Sequence, residues 1–167
     1  MTESAVEPPV SKEAFEHIPC NLCGADDYTI VYPSRRSESG DADSTAFHSS
    51  SDEILLDPLV RCNVCGFQYV TPRVRPEIVL EGYTNAEESV FISQAGSRER
   101  TFKKGLRVMQ SWWKKPPGRI LDIGTGGGSF LKVAKDVGWD VAGCEPNRWL
   151  CKWCEENYGI RLAQGTV

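Results

Sequence analysis

The sequence predicts an α/β protein that contains the first half of a Rossmann-like, doubly wound parallel sheet. Three observations predict this fold. Short apolar strand segments alternate with helical segments from residue 118 onward. A glycine-rich turn follows the first of these strands, in the sequence ILDIGTGGGSF at 120–130. A CNxCG pattern occurs twice nearer the N-terminus, which predicts that a small cysteine-rich β unit precedes the sheet.

Size and charge limit the classes of function. The chain has 167 residues, enough for one ordinary domain or two small ones, and a formal net charge of −4. Nucleic-acid-binding proteins usually carry a basic surface, so we expect no nucleic-acid partner. No apolar run approaches the roughly 18–20 residues that cross a bilayer, and the polar N-terminus does not resemble a secretory signal. We therefore expect a cytoplasmic protein without a membrane partner.

Changes in composition suggest four segments. Residues 1–16 are polar and are predicted to form a disordered tail. The cysteine unit spans 17–75, and a loop rich in Ser, Asp and Gly is inserted in it at 34–53. A helical connector follows at 76–115, and the strand-helix region occupies 116–167.

The connector contains one long predicted helix. Its apolar positions are Phe102, Leu106, Met109 and Trp113, whose offsets of four, three and four residues define one helical face. Lysine and arginine residues fall largely on the other faces. Pro116 follows directly and ends the helix.

The region from 118 onward predicts strand, helix, strand, helix and strand. These elements are expected at 119–123, 129–138, 139–145, 147–159 and 160–164. Asn147 is suited to cap the start of the second helix, and Gly138 and Gly159 are suited to end the two helices. This order is that of the first half of a doubly wound sheet.

The glycine turn has the composition of a ligand-binding loop. Gly124, Gly126 and Gly128 alternate after Asp122, at the carboxyl end of the first strand, where open α/β sheets bind ligands. Glycine adopts positive φ freely and has no Cβ to block a ligand. The N–H groups at the start of the next helix favour negative charge.

Glu145 ends the second strand, 21 positions after Gly124. A carboxylate at this place can accept hydrogen bonds from the hydroxyls of a ribose. The turn lacks the lysine of a phosphate-binding P-loop, and Ser129 stands where the dinucleotide fingerprint requires Gly or Ala. The third glycine at 128 favours S-adenosylmethionine over NAD, and an NAD-dependent oxidoreductase remains the alternative.

Two cysteine pairs predict a metal site. Cys20 and Cys23 form one C-x-x-C pair and Cys62 and Cys65 the other, and a glycine follows each. Such pairs place four thiolates around one tetrahedral ion, which predicts a structural zinc with a closed shell. The 38 residues between the pairs are more than usual. However, doubling a loop adds only about 0.6 kcal/mol of closure entropy, and structural zinc contributes about 10 kcal/mol or more.

The remaining candidates for chemistry have simpler explanations. Cys151 and Cys154 form a third C-x-x-C pair, but this pair lies within a predicted helix and has no second pair, so we interpret both as ordinary helix residues. His17 is a possible alternative zinc ligand. Since four cysteines already complete the shell, we expect His17 to be solvated.

Four stretches together resemble a known family: CNLCG, LVRCNVCGFQYVTPR, ILDIGTGGGSFLKVAKDVGWDVAGCEPN and GIRLAQGTV. They are similar to class I S-adenosylmethionine-dependent methyltransferases with an N-terminal zinc ribbon, over about 20–80 and 117–167. The resemblance implies that the turn contacts the methionine part of the cofactor and that Glu145 binds the ribose. Thr125 stands where many relatives carry Cys, a change that backbone binding tolerates. The expected cofactor-binding residues are Asp122, Gly124, Thr125, Gly126, Gly128 and Glu145.

The resemblance also implies what the chain does not reach. Such domains carry seven strands, and this chain ends at the third. We therefore expect a fragment that binds S-adenosylmethionine weakly, does not turn over, and self-associates through its incomplete sheet. The catalytic base and the methyl acceptor are unknown, and relatives that modify sugars favour a small-molecule acceptor. A non-catalytic zinc-binding interaction module is a further alternative.

Overall fold

The computed structural model describes residues 14–36 and 56–167. Most of the predicted tail and of the predicted inserted loop lie outside these ranges. The chain divides into two compact units between Leu80 and Glu81. The four segment boundaries expected from composition remain predictions.

The first unit is built from five short β-strands. They are β1 (Phe15–Glu16), β2 (Tyr28–Tyr32), β3 (Leu59–Cys62), β4 (Gln68–Val70) and β5 (Arg73–Val74). Strands β2, β3 and β4 form one antiparallel sheet, and β1 pairs with β5. The core contains Cys20, Val60, Cys62 and Tyr69, so two of the paired cysteines belong to it. A core this small buries little apolar surface, which makes additional cross-linking by a metal useful.

The second unit combines helices with a three-stranded sheet. Its elements after α1 (Pro76–Asn85), which spans the division, are α2 (Ser89–Ser93), α3 (Ala95–Trp113), β6 (Arg119–Ile123), α4 (Ser129–Asp136), β7 (Asp140–Glu145), α5 (Arg148–Tyr158) and β8 (Ala163–Gln164). The long connector helix predicted from apolar spacing is α3. Leu106, in the middle of its predicted apolar face, is 3% exposed.

The sheet of the second unit confirms the predicted fold class. Its strand order is β6–β7–β8, and both pairs are parallel. Ile120 pairs with Val141, and Cys144 pairs with Ala163. The first strand therefore lies at one edge of the described sheet and the third strand at the other, as in half of a doubly wound fold.

Helix α4 packs between α3 and the sheet. Leu106 of α3 is buried against Val133 and Ala134 of α4, and the rings of Phe102 and Phe130 meet edge to face at 5.5 Å. Because α4 carries apolar residues on more than one face, it also contributes Leu131 to a second buried cluster, which includes Cys154 of α5. Among the described helices, none combines the length and the apolar character that a membrane span requires.

Two predicted elements are shorter in the structure. Helix α4 ends at Asp136 because Val137 and Gly138 donate to carbonyls three residues back, which tightens the last turn. The third strand pairs only at Ala163 and Gln164, although Ile160 and Leu162 are buried. The apolar pattern at 160–164 therefore predicted which side chains are buried. Burial of side chains alone does not produce the backbone hydrogen bonds of a strand.

Candidate functional site

The two cysteine pairs adopt the same turn. Gly24 N–H donates to the carbonyl of Cys20 at 2.8 Å, and Gly66 N–H donates to the carbonyl of Cys62 at 2.9 Å. Both glycines have positive φ, 76° and 78°, a backbone conformation that residues with a side chain rarely adopt. The turn carries the second cysteine of each pair back toward the first.

The four sulfur atoms lie together in the first unit. Cys20 Sγ is 3.6 Å from Cys65 Sγ, and Cys23 Sγ is 3.6 Å from Cys62 Sγ. All four ligand atoms lie within 4.8 Å of one another. Four sulfurs bonded to one ion at about 2.3 Å would stand about 3.8 Å apart at the corners of a tetrahedron. The cluster is therefore close to the dimensions of a four-thiolate site and could hold a metal ion.

The thiols differ in how readily they ionise. Burial raises the pKa of Cys20, but the N–H groups of Cys23 and Leu22 and the Cys65 side chain outweigh it and lower the pKa to about 7. The N–H of Phe67 lowers the pKa of Cys65, yet burial and the neighbouring cysteines raise it to about 12. The Cys20 thiolate thus forms near neutral pH and opposes ionisation of Cys65. A cation at the centre would remove that opposition.

His17 lies outside this cluster. Its Nε2 is 2.7 Å from Asp26 Oδ1, and its side chain is 45% exposed. Cys151 and Cys154 lie on α5 in the second unit, where Cys154 is fully buried. The expectation that these residues are not metal ligands agrees with their positions.

The glycine turn lies where β6 ends and α4 begins. Gly124, Gly126 and Gly128 have φ of 70°, 57° and 77°. Gly124 N–H and Thr125 N–H both donate to the carbonyl of Cys144 on β7, at 3.0 and 3.2 Å. The turn is therefore fastened to the neighbouring strand and is not a free loop.

Glu145 faces the turn, as expected from the sequence. Its Oε2 accepts a hydrogen bond from Gly126 N–H at 2.7 Å, and its Oε1 accepts one from Asn147 N–H at 2.9 Å. The residue is only 1% exposed. Each carboxylate oxygen can accept a further hydrogen bond, so these contacts leave capacity for a ribose hydroxyl. The role of Glu145 in binding a ribose remains a prediction.

A cavity of about 620 Å³ opens beside the turn. Four of the six predicted cofactor-binding residues line it: Asp122, Gly124, Thr125 and Gly126. Glu145 and Gly128 do not. Its volume lies in the range of small-molecule sites. Thr125 belongs to the cavity wall, and its buried hydroxyl Oγ1 has no hydrogen-bond partner among the described residues.

Several lining residues were not found from the sequence. They are Tyr83, Phe91, Arg98, Phe102, Gly127, Ser129 and Phe130. The Arg98 guanidinium lies 3.5 Å from the centre of the Phe91 ring and donates to the Phe91 carbonyl. Burial lowers the pKa of Arg98. Gly127, Ser129 and Phe130 adjoin the glycine motif in the sequence. No local motif marks the other four, because they come from α1, α2 and α3 and meet the turn only in the folded unit.

Asn147 holds part of this wall in place. It is fully buried, and its Oδ1 accepts from Leu150 N–H at 2.8 Å, which caps α5. Its Nδ2 donates to the carbonyls of Tyr83 and Ala86 at 2.6 and 3.0 Å. The sequence predicted the cap but did not indicate the two hydrogen bonds to the carbonyls of Tyr83 and Ala86.

Comparison with known proteins agrees with this site. Residues 95–160 match the model of a family described as a methyltransferase domain, a range that contains the whole glycine turn and Glu145. This match agrees with the predicted resemblance to methyltransferases. No curated protein matches the sequence.

Solved structures also show similarity. One is an S-adenosylmethionine-dependent methyltransferase from Archaeoglobus fulgidus, with 26% identity over 47% of this chain and 35% of that chain, and a TM-score of 0.34. Another is a protein from Pyrococcus horikoshii OT3, with 22% identity over 41% of this chain and 32% of that chain, and a TM-score of 0.35. Each match spans about a third of the solved chain.

Proposed function

We propose that the second unit binds S-adenosylmethionine in the cavity beside the glycine turn and serves methyl transfer. The observation that carries the proposal is the match of residues 95–160 to a methyltransferase domain, because it encloses the turn at the carboxyl end of β6. The unpartnered Thr125 hydroxyl and the side-chain-free glycines support a ligand in this cavity. Among the alternatives, the family match favours a methyltransferase over an NAD-dependent oxidoreductase.

The residues around the cavity suggest how the ligand is held. The backbone from Asp122 to Gly128 would hold its methionine part, and Glu145 would accept hydrogen bonds from its ribose hydroxyls. Of the described residues that line the cavity, Arg98 is the one cation, which makes it suited to pair with a carboxylate of the ligand.

Methyl transfer depends mainly on position. S-adenosylmethionine supplies an electrophilic methyl group when it is bound. The role of this chain is to hold that methyl in line with a nucleophile and to exclude water with Phe91, Phe102 and Phe130. We assign no catalytic base. We propose a small-molecule acceptor, which the resemblance to sugar-modifying relatives supports.

The first prediction tests ligand binding through Thr125. Thr125→Val keeps the shape of the side chain and removes a hydroxyl that has no protein partner, so the unliganded fold should be as stable as before. Loss of one hydrogen bond should weaken S-adenosylmethionine binding roughly threefold to tenfold. Isothermal titration calorimetry measures this affinity. Thr101→Val, on the exposed side of α3, is the matched control and should bind as wild type.

Comparison of ligands completes this test. In a thermal shift assay S-adenosylmethionine should raise the unfolding temperature of the wild-type chain, and NADH should leave it unchanged. Protection by NADH alone would reject the methyltransferase in favour of an oxidoreductase. If wild type and Thr125→Val bind S-adenosylmethionine with equal affinity, the Thr125 hydroxyl does not contact the ligand.

We further propose that the four cysteines hold one structural zinc ion. Four thiolates leave no open position, so the ion would stabilise the first unit and take no part in chemistry. The second prediction is that purified wild-type protein contains about one zinc per chain by mass spectrometry of the metal, and that Cys23→Ser loses it. Cys151→Ser, which changes a cysteine outside the cluster, should retain the metal. Full zinc content in Cys23→Ser would contradict the site.

A further inference from the structure

An uninterrupted basic segment runs along α3 and the residues after it. Between 101 and 121 the chain has six cations and no Asp or Glu. Since the whole chain carries −4 and this segment carries +6, the remaining residues sum to −10. The cations are Lys103, Lys104, Arg107, Lys114, Lys115 and Arg119, and all of them are exposed. The charge of the chain is therefore unevenly distributed, and this exposed segment has a net positive charge while the rest of the chain is net negative.

The same helix exposes apolar side chains. Trp112 is 82% exposed, Val108 58% and Met109 38%. Val108 and Trp112 are one turn apart, so they lie next to each other on the helix surface. We call Val108, Met109 and Trp112 the apolar flank. Neighbouring exposed apolar side chains with polar residues around them are typical of interaction surfaces.

Helical geometry separates the apolar flank from the basic residues. At about 100° per residue, with Leu106 facing the core, Val108 and Trp112 lie about 120–160° round the helix on one side. Lys103 and Arg107 lie about 60–100° round on the other side. The outward surface of α3 thus has an apolar side and a basic side, both parallel to the helix axis.

We infer that this face of α3 docks on an anionic lipid surface. A helix with Lys and Arg on one side and Trp and aliphatic residues on the other lies in the interface of a bilayer, where the cations meet headgroups and the apolar side enters the acyl boundary. Clusters of four to eight Lys or Arg on an amphipathic helix are typical of binding to anionic lipids. Tryptophan in particular favours the interface.

Lipid fits this face better than nucleic acid does. Phosphate backbones attract the cations equally well, and bases stack on aromatic rings. Neither contact explains Val108 and Met109, which extend the exposed apolar side along the helix beyond the tryptophan. The expectation of no membrane partner rested on the absence of a spanning segment, and a helix that lies on the surface needs none.

Vesicle co-sedimentation tests the proposal with the whole chain. The wild type should bind phosphatidylcholine vesicles that contain about 30% phosphatidylserine and should not bind vesicles of phosphatidylcholine alone. The charge variant Lys103→Glu/Arg107→Glu/Lys114→Glu should bind at least tenfold more weakly, and so should the apolar variant Val108→Ser/Trp112→Ser. All five positions are exposed, so circular dichroism should show an intact fold.

A matched control separates this face from general charge. The control variant reverses three exposed cations outside the segment: Arg35→Glu, Lys152→Glu and Arg161→Glu. It has the same net charge as the charge variant and should keep at least a third of the wild-type affinity. Equal loss in both variants would overturn the proposal, because binding would then reflect net charge alone.

Two other occupants would also overturn it. Binding of a 20-base-pair DNA duplex that the charge variant loses and the apolar variant keeps, with no vesicle binding, would identify a nucleic-acid surface. A dimer in sedimentation velocity that Trp112→Ser disperses, again with no vesicle binding, would show that a second copy covers the apolar flank. The proposal does not depend on methyl transfer, so failure of either leaves the other standing.

Discussion

Single glycines in the turn differ in how closely the protein's own side chains pack against them. A Cβ on Gly128 would lie 2.3 Å from Cys154 Sγ, and one on Gly127 would lie 2.5 Å from Ile92 Cδ1. A Cβ on Gly124 would meet nothing within 4 Å. These differences could not be predicted from the sequence. The spacing of the glycines shows where side chains are avoided, but it does not show which neighbouring atoms a side chain would contact.

This difference gives the third prediction. Gly124→Ala and Gly128→Ala both force alanine into the left-handed region, which costs about 1–2 kcal/mol. Gly128→Ala also drives a methyl group against Cys154 and should cost about 1–3 kcal/mol more. Urea unfolding followed by tryptophan emission measures the free energies, since all five tryptophans lie in the second unit. Equal losses of stability would show that Cys154 moves aside without cost.

At the scale of elements, Asn147 links the start of α5 to the segment that precedes α2. One side chain caps α5 through Oδ1 and binds the carbonyls of Tyr83 and Ala86 through Nδ2. That segment supplies Tyr83 to the cavity, and α2, which follows it, supplies Phe91. The cap therefore also holds a wall of the proposed ligand site.

The fourth prediction separates these two roles. Serine caps helices about as well as asparagine but cannot donate to both carbonyls, so Asn147→Ser should leave α5 capped and cost about 1–3 kcal/mol through unsatisfied carbonyls. Asn147→Ala should lose about 1 kcal/mol more, because it also removes the cap. Tryptophan-monitored urea unfolding measures both. Equal stability of Asn147→Ser and wild type would mean that the Tyr83 and Ala86 bonds contribute nothing.

Elements with local signals could be predicted, and those without could not. Helix caps act only on neighbouring residues, so they can be predicted from local sequence. Asn147 caps the start of α5 and Gly159 caps its end, as predicted. Helix α2 has no side-chain cap and five residues, so nothing local marks it. Its place beside the turn depends on Phe91 and Ile92 meeting glycines more than 30 positions away.

At the scale of the whole molecule, each unit has groups that can bind a further partner: a cluster of thiols in the first unit and a strand edge in the second. The first unit gathers four thiols, and the neighbouring cysteines raise the pKa of one of them, Cys65. The second exposes one face of β6, where Leu121 and Ile123 are 66% and 55% exposed. Among the described strands β6 pairs only with β7, so its other edge presents free backbone groups. Unpaired strand edges with apolar neighbours favour association between chains.

The fifth prediction is that this strand mediates self-association. Leu121 and Ile123 are two residues apart and point to the same side of the sheet, so a lysine at either position puts a charge into any contact made there. Leu121→Lys should shift the sedimentation velocity profile from dimers or larger species toward monomer. Val137→Lys is the matched control, because Val137 is 46% exposed but lies at the end of α4. Both variants change the net charge of the chain from −4 to −3, so equal effects of the two would reflect net charge and argue against β6. Dispersal by Leu121→Lys alone would place the contact on the strand, where an added backbone partner satisfies the free edge and covers both apolar side chains.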